Sequence, residues 1–297
     1  MLKNINIIGC GYIGKKVAHF LCEKNIPPRC FVKTKASKKD CDEHGFDSVI
    51  FDLDQKGLLL TEENNNRLCN SVIAYFAPPP RAGETDTRMQ HFIATLNSLT
   101  APPTKILLIS TTGVYGNCDG QWIDETRQVK PQVARAHRRL NAETALQDYC
   151  KNNSVALIIF RVAGIYAADK LPLQRINSGE PIVCAQDSGY TNRIHADDLS
   201  HFCVEALAEN VQSGIYNCCD GQPTTMHDYF TKVADTMHLA RPKEISLQQA
   251  QQELSAGMLS YLAESKRISN KKLLTHFKTQ FEYPNLNVGL SALKNIN

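Results

Sequence analysis

Apolar runs alternate with segments of helical spacing along most of the chain. Short runs rich in β-branched residues, at 4–8, 30–32, 48–51, 72–76, 105–109 and 155–160, have the length of strands buried on both faces. Between them, residues 15–23, 88–99, 132–149 and 199–208 have helical spacing. Ile13, Val17, Phe20 and Leu21 mark the first apolar stripe. This alternation predicts a parallel sheet with helices on both faces. From about Leu171 the pattern loosens into a short helix to Ile176, a Gly-Glu-Pro turn at 179–181, a late helix at 226–237 and a weakly periodic tail from Lys243. Such irregular material predicts a small lobe over the carboxyl ends of the strands, where doubly wound sheets hold ligands. The expected class is α/β, with residues 1–168 and 196–224 in the sheet domain and 169–195 and 225–297 in a small C-terminal substrate lobe.

Composition narrows the partners. The 297 residues, 42% of them apolar, can bury a full core. A formal net charge of +3 does not imply nucleic acid or an anionic membrane surface, and no basic run interleaves with aromatics. The longest apolar run, 155–160, is too short to span a bilayer, and the opening residues read as a strand rather than a leader. The eleven cysteines are scattered, without a Cys-x-x-Cys pair. Cys10, Cys22, Cys30 and Cys203 are expected as free thiols in a reducing, cytoplasmic setting. The histidines do not join Cys or Asp at metal-ligand spacing, so no metal is expected.

The first apolar run leads into Gly9-Cys10-Gly11-Tyr12-Ile13-Gly14 and then directly into the first helix. Between a strand and a helix, this glycine spacing is a dinucleotide fingerprint. Gly9 serves the tight turn, Gly11 lets backbone approach a pyrophosphate, and Gly14 packs helix on strand. Tyr12 and Ile13 open the helix, whose free amides and positive dipole end face the phosphates. The sheet is therefore expected to be Rossmann-type. Its second strand ends Val32-Lys33-Thr34-Lys35, with no acid until Asp40. An acid there would hold a ribose 2′-hydroxyl, whereas Lys33 and Lys35 suit a 2′-phosphate, with a hydrogen bond from Thr34. NADP is thus preferred over NAD, solvated surface lysines being the alternative. The wider basic run 33–39 reads as a local phosphate site. Asp52 and Leu53, after the third strand, fall beside the adenine position. Ala77-Pro78-Pro79-Pro80 stiffens a loop beside the ribose and pyrophosphate.

A second signature, Ser110-Thr111-Thr112-Gly113-Val114-Tyr115-Gly116, closes a later apolar strand. Further pieces follow in order: Trp122-Ile123-Asp124-Glu125, Ala142-Glu143, Arg161-Val162-Ala163-Gly164-Ile165-Tyr166 and Arg193-Ile194-His195-Ala196-Asp197-Asp198-Leu199. Together with the glycine turn they make the chain, from residue 1 to about 230, resemble the extended or atypical short-chain dehydrogenase/reductases, the group of NAD-dependent epimerases and dehydratases. The resemblance implies NAD(P) in the cleft, a small polar substrate such as a sugar nucleotide, and a hydroxyl, here Thr111, that polarises it. It also allows a homodimer.

One departure bears on mechanism. The group's Tyr-x-x-x-Lys, counted back from Glu143, falls on Arg135 and Arg139. A lysine-stabilised phenolate relays protons near neutral pH, and a guanidinium does not deprotonate. Arg139 keeps a role as donor to the nicotinamide ribose. Tyr166, with Lys170 four residues on, together with Tyr115 and His137, are the remaining candidates for proton transfer. The bland readings are a loop residue for Tyr166 and an exposed helical side chain for His137. Asp197 or Asp198 reads as a helix cap over His195, Trp122 as stacking or filling, and Arg161 as an anion contact or a structural ion pair. The expected function is an NAD(P)-dependent oxidoreductase or epimerase/dehydratase-like enzyme. The alternative, motivated by the missing tyrosine and lysine, is a non-catalytic NADP(H)-binding sensor or scaffold.

Overall fold

The structure, a computed structural model, describes residues 4–57 and 61–293. Its first half alternates strand and helix: β1 (Ile5–Ile8), α1 (Tyr12–Glu23), β2 (Arg29–Val32), α2 (Lys35–Glu43), β3 (Asp47–Ile50), α3 (Glu62–Leu68), β4 (Val72–Tyr75), α4 (Thr87–Asn97) and β5 (Lys105–Thr111). There follow β6 (Trp122–Ile123), α5 (Ala134–Asn152), β7 (Ala156–Val162), β8 (Gly164–Tyr166), α6 (Leu173–Asn177), β9 (Ile182–Val183), β10 (Tyr190–Thr191), β11 (Arg193–His195), α7 (Ala196–Ala208) and β12 (Gly214–Cys218). The last part holds β13 (Thr224–Thr225), α8 (Met226–Thr236), β14 (Glu244–Ile245), α9 (Leu247–Glu253), α10 (Ala256–Leu262), β15 (Arg267–Ile268), α11 (Lys271–His276) and α12 (Leu286–Leu293).

Seven parallel strands form the central sheet in the order β12-β7-β5-β4-β1-β2-β3. The chain winds outward from β1 through β2 and β3, then returns to the other side of β1 for β4. Strand order reverses between β1 and β4, so the crevice of this doubly wound sheet opens at their carboxyl ends. One face is covered by α1 and α7, which bury Val17, Ala18, Leu21, Leu199, Phe202 and Cys203. The other is covered by α4 and α5, which bury Met89, Phe92, Leu96, Ala142 and Leu146. Each of the larger buried side chains contributes about 2 kcal/mol. A separate cluster of Tyr166, Ile176, Ile182, Tyr229, Phe230, Val233, Leu286 and Leu290 forms the core of the second lobe.

Several expectations change. The polar helices α2 and α3 were not anticipated, because each buries only one or two side chains and so shows no apolar stripe. Part of the tail expected in the lobe returns to the sheet instead: Leu273 and Phe277 pack with Phe160, Phe202 and Tyr216. Neither Asp197 nor Asp198 caps α7. His195 does, accepting the Asp197 amide at 3.3 Å on Nδ1. Asp198 is fully buried and accepts the backbone amides of Glu282 and Tyr283 at 2.8 and 3.1 Å, which ties the tail to α7. All eleven cysteines are free, among them Cys10, Cys22, Cys30 and Cys203.

Candidate functional site

The glycine turn is built by close approach. Gly9 has φ +91°, and a Cβ there would lie 2.5 Å from the Ala77 amide nitrogen. Only glycine meets both demands. At Gly14 a Cβ would sit 3.0 Å from the Gly9 carbonyl, so α1 packs directly on the turn, whereas at Gly11 a Cβ would project into open space. The amino terminus of α1 has no side-chain cap and no acid in its first turn. Its electropositive end is therefore left to an external anion. A groove of about 430 Å³ runs along it, lined by Gly9, Gly11, Tyr12, Lys33, Leu53, Ala77, Pro78 and Arg88 among others. An uncapped helix end, room beside Gly11 and an apolar floor fit a dinucleotide.

The basic run at residues 33–39 is mostly paired with carboxylates of the chain. Lys38 pairs with Asp42 and Lys39 with Glu43. Of the predicted 2′-phosphate contacts, Lys33 lines the groove, Thr34 caps α2 by accepting the Ser37 amide, and Lys35 is an exposed residue in the first turn of α2. Lys33 is bound to Asp54, which Arg88 also grips at 2.5 and 2.8 Å. These bonds, Arg88 first, hold the Asp54 carboxyl well below the usual carboxylate range. Asp52 accepts the Asp54 amide.

On the other side of the proline loop lies a second cavity of about 440 Å³, whose lining includes Pro79, Thr111, Thr112, Gly113, Arg135 and Arg139. Thr111 Oγ1 accepts the Gly113 amide at 3.1 Å, which leaves the hydroxyl proton free to donate. Gly113 packs between Thr111 and Ala136, bringing the start of α5 against the strand end. Arg139 donates to the Ala77 carbonyl at 3.3 Å and so bridges the two cavities. The far wall comes from the second lobe and tail: Tyr190, Asn192, Arg193, Tyr261, Glu264 and Lys266. Buried Lys266 donates to the Gly116 carbonyl at 2.7 Å and to Glu264, whose other oxygen, Oε1, is buried without a hydrogen-bond partner.

Of the three tyrosine and threonine candidates, only Thr111 reaches this cavity. Tyr115 is buried beneath it, donating to Asn217 Oδ1 at 2.8 Å under the Arg161 guanidinium, and burial pushes its phenol up to about 12. Tyr166, expected at the cleft, lies in the lobe core against His195, with its hydroxyl 3.4 Å from the Asn285 carbonyl. Burial raises its pKa too. Arg161 is a structural ion pair, bound to Glu143 at 2.7 Å, and Ser110 donates to the same carboxylate. Trp122 is 53% exposed beside Arg267, so it fills no core. Sequence reasoning missed Glu264 and Lys266. Their one signal is a charged run, Glu264-Ser265-Lys266-Arg267, leading straight into the buried position Ile268.

A model of the NAD dependent epimerase/dehydratase family matches residues 5–219. The chain is similar throughout to a functionally unknown conserved protein from Silicibacter pomeroyi, at 22% identity and TM-score 0.80, covering 98% of each chain. It is also similar to the UDP-glucose 4-epimerase of Thermus thermophilus in complex with NAD, at 16% identity and TM-score 0.74, covering 98% and 97%. The UDP-glucuronic acid 4-epimerase of Bacillus cereus, in complex with UDP-glucuronic acid and NAD, matches at 16% identity and TM-score 0.74, covering 98% of each chain. No curated protein matches. Among the described residues no helix is long and apolar enough to cross a membrane, and no group of three or more His, Cys, Asp or Glu is placed to hold a metal ion.

Proposed function

This chain belongs to the NAD dependent epimerase/dehydratase family, and from that premise we propose that it is a nicotinamide-dependent oxidoreductase or epimerase/dehydratase-like enzyme acting on a small polar substrate. The observation that carries this reading is the pair of cavities divided by the loop Ala77–Pro79, one on the glycine turn and one on Thr111. The amides of Tyr12, Ile13 and Gly14 would hold the pyrophosphate, the Gly11 amide being bound to the Gly9 carbonyl at 2.8 Å, and Arg139 would hold the nicotinamide ribose. Lys33 and Arg88, sharing one carboxylate, leave a net positive charge at the ribose end, which favours NADP modestly over NAD. When bound, the nicotinamide supplies a hydride acceptor or donor.

Thr111 donates its free hydroxyl proton to the substrate oxygen and polarises it. Because Arg135 and Arg139 stand where a tyrosine and a lysine do proton work in this group, the proton needs another acceptor. Glu264 is the carboxylate on the cavity wall and the group we assign to take it, with Lys266 bound to its Oε2. A cavity with both a donor and an acceptor favours an enzyme over a scaffold.

A panel of hydroxy and carbonyl compounds, sugar nucleotides included, assayed by nicotinamide absorbance, tests the reading. Thr111→Val is expected to lower kcat about a hundredfold on whichever compound turns over. Cofactor binding without turnover of any compound would favour the sensor.

A further inference from the structure

The charges lining the substrate cavity do not balance. Arg135, Arg139, Arg193 and Lys266 face one carboxylate, Glu264, and that carboxylate is bound to Lys266. Among the described residues, none of the three arginines forms an ion pair. Arg139 lies in the field of Asp86, which leaves Arg135 and Arg193.

Arg193 is only 8% exposed and its Nε has no hydrogen-bond partner. One Nη donates to Thr191 Oγ1 at 3.2 Å, and the guanidinium lies 3.5 Å from the centre of the Tyr229 ring. Burial pulls its pKa down to about 10. The nearby Asp220 carboxyl is itself pushed up to about 7 by burial, so it offsets this charge only in part. Arg135 is held in the same way, by Ser260 Oγ at 2.7 Å and by the Tyr261 ring at 4.1 Å. It stands in the first turn of α5, a nineteen-residue helix with no side-chain cap and no acid in that turn. A cation at the positive end of a helix dipole is unfavourable, and an unpaired buried guanidinium is costly. Stacked on aromatic rings and tethered through hydroxyls, both forks are preorganised for a ligand that supplies the missing negative charge.

We propose that this cavity binds an oxyanion, a carboxylate or a phosphate, between Arg135 and Arg193 and beside Thr111, so that the compound acted on is anionic at its reacting end. The identification of that ligand as substrate rests on the function proposed above, whereas the anion site does not.

Calorimetric titration of the whole protein with malonate and with inorganic phosphate tests the proposal without turnover. A saturable heat is expected with at least one of the two. Malonate alone identifies a carboxylate site, phosphate alone a phosphate site, and both together a general oxyanion site. Arg193→Met and Arg135→Met, the first keeping its packing on Tyr229, should each weaken that affinity about tenfold or more. Lys33→Met, in the other groove, should leave it within about twofold. If Arg193→Met does not fold, Arg135→Met alone decides. No saturable heat with either anion, unchanged affinity in the arginine variants, or a loss that follows Lys33→Met overturns the proposal. NADP titrated into the same samples keeps the two readings apart: failure of NADP to bind removes the dinucleotide assignment and leaves the anion site standing.

Discussion

The two cavities on either side of the loop Ala77–Pro79 are made in different ways. The nucleotide groove is mostly backbone: a turn whose Gly9 leaves no room beside Ala77, and a helix start left uncapped. The substrate cavity is mostly side chain, drawn from β5, α5, β11 and the tail near Glu264. Backbone sites tolerate change everywhere except at the glycines. Side-chain sites concentrate unpaired charge, which costs stability and can be converted into ligand specificity.

The sharpest way to break this contrast is Gly9→Ala. A methyl group there meets the Ala77 backbone at 2.5 Å in a backbone conformation that disfavours it. The variant is expected to lose about 2–5 kcal/mol in urea denaturation and to lose cofactor affinity with it. Full stability and full affinity in the Gly9→Ala variant would show that the turn is not close-packed.

The second expected effect belongs to the side-chain region. Asp220 is buried, one of its oxygens has no hydrogen-bond partner, and its carboxyl titrates near pH 7. The folded pKa is raised above the unfolded value, so the folded protein holds the extra proton. Stability therefore falls as pH rises from about 4 to about 7, by at most about 4 kcal/mol. Asp220→Asn should flatten that part of the stability profile and stabilise the protein at pH 8. An unaltered profile would mean that the carboxyl is solvated or paired.

These predictions follow how much of each region could be read from the sequence. The groove was legible because a strand, three glycines and a helix are consecutive, and each glycine answers a local demand. The place of Thr111 on the cavity wall was legible for the same reason, at the end of an apolar strand. Glu264 and Lys266 were not, because the tail carries them to a wall they share with the distant Arg193, and nothing local marks a charged residue that will line a cavity. Tyr115 and Tyr166 misled because a tyrosine at a strand end looks the same whether it faces a cleft or a core. Asp198 looked like a cap because an acid before an apolar stripe usually is one. Here the imidazole of His195 takes that place, and the acid is spent on amides 84 and 85 residues away.

The smallest effect is the finest test of the groove. Lys33→Glu sets a second carboxylate beside Asp54 and should shift relative affinity from NADP toward NAD by about 1 kcal/mol, since Asp54 already neutralises part of the lysine's charge. Unchanged relative affinities by calorimetry would place the 2′ end of the cofactor away from Lys33.

Titration of the purified protein with NADP and NAD, followed by the same titration of Gly11→Asp, tests the cradle most directly. The wild type should bind at one site with saturable heat. The variant, which fills the open space beside α1 with a carboxylate, should stay folded and bind at least tenfold more weakly. Equal binding by both proteins, or no saturable signal from the wild type, would contradict a pyrophosphate held on the start of α1.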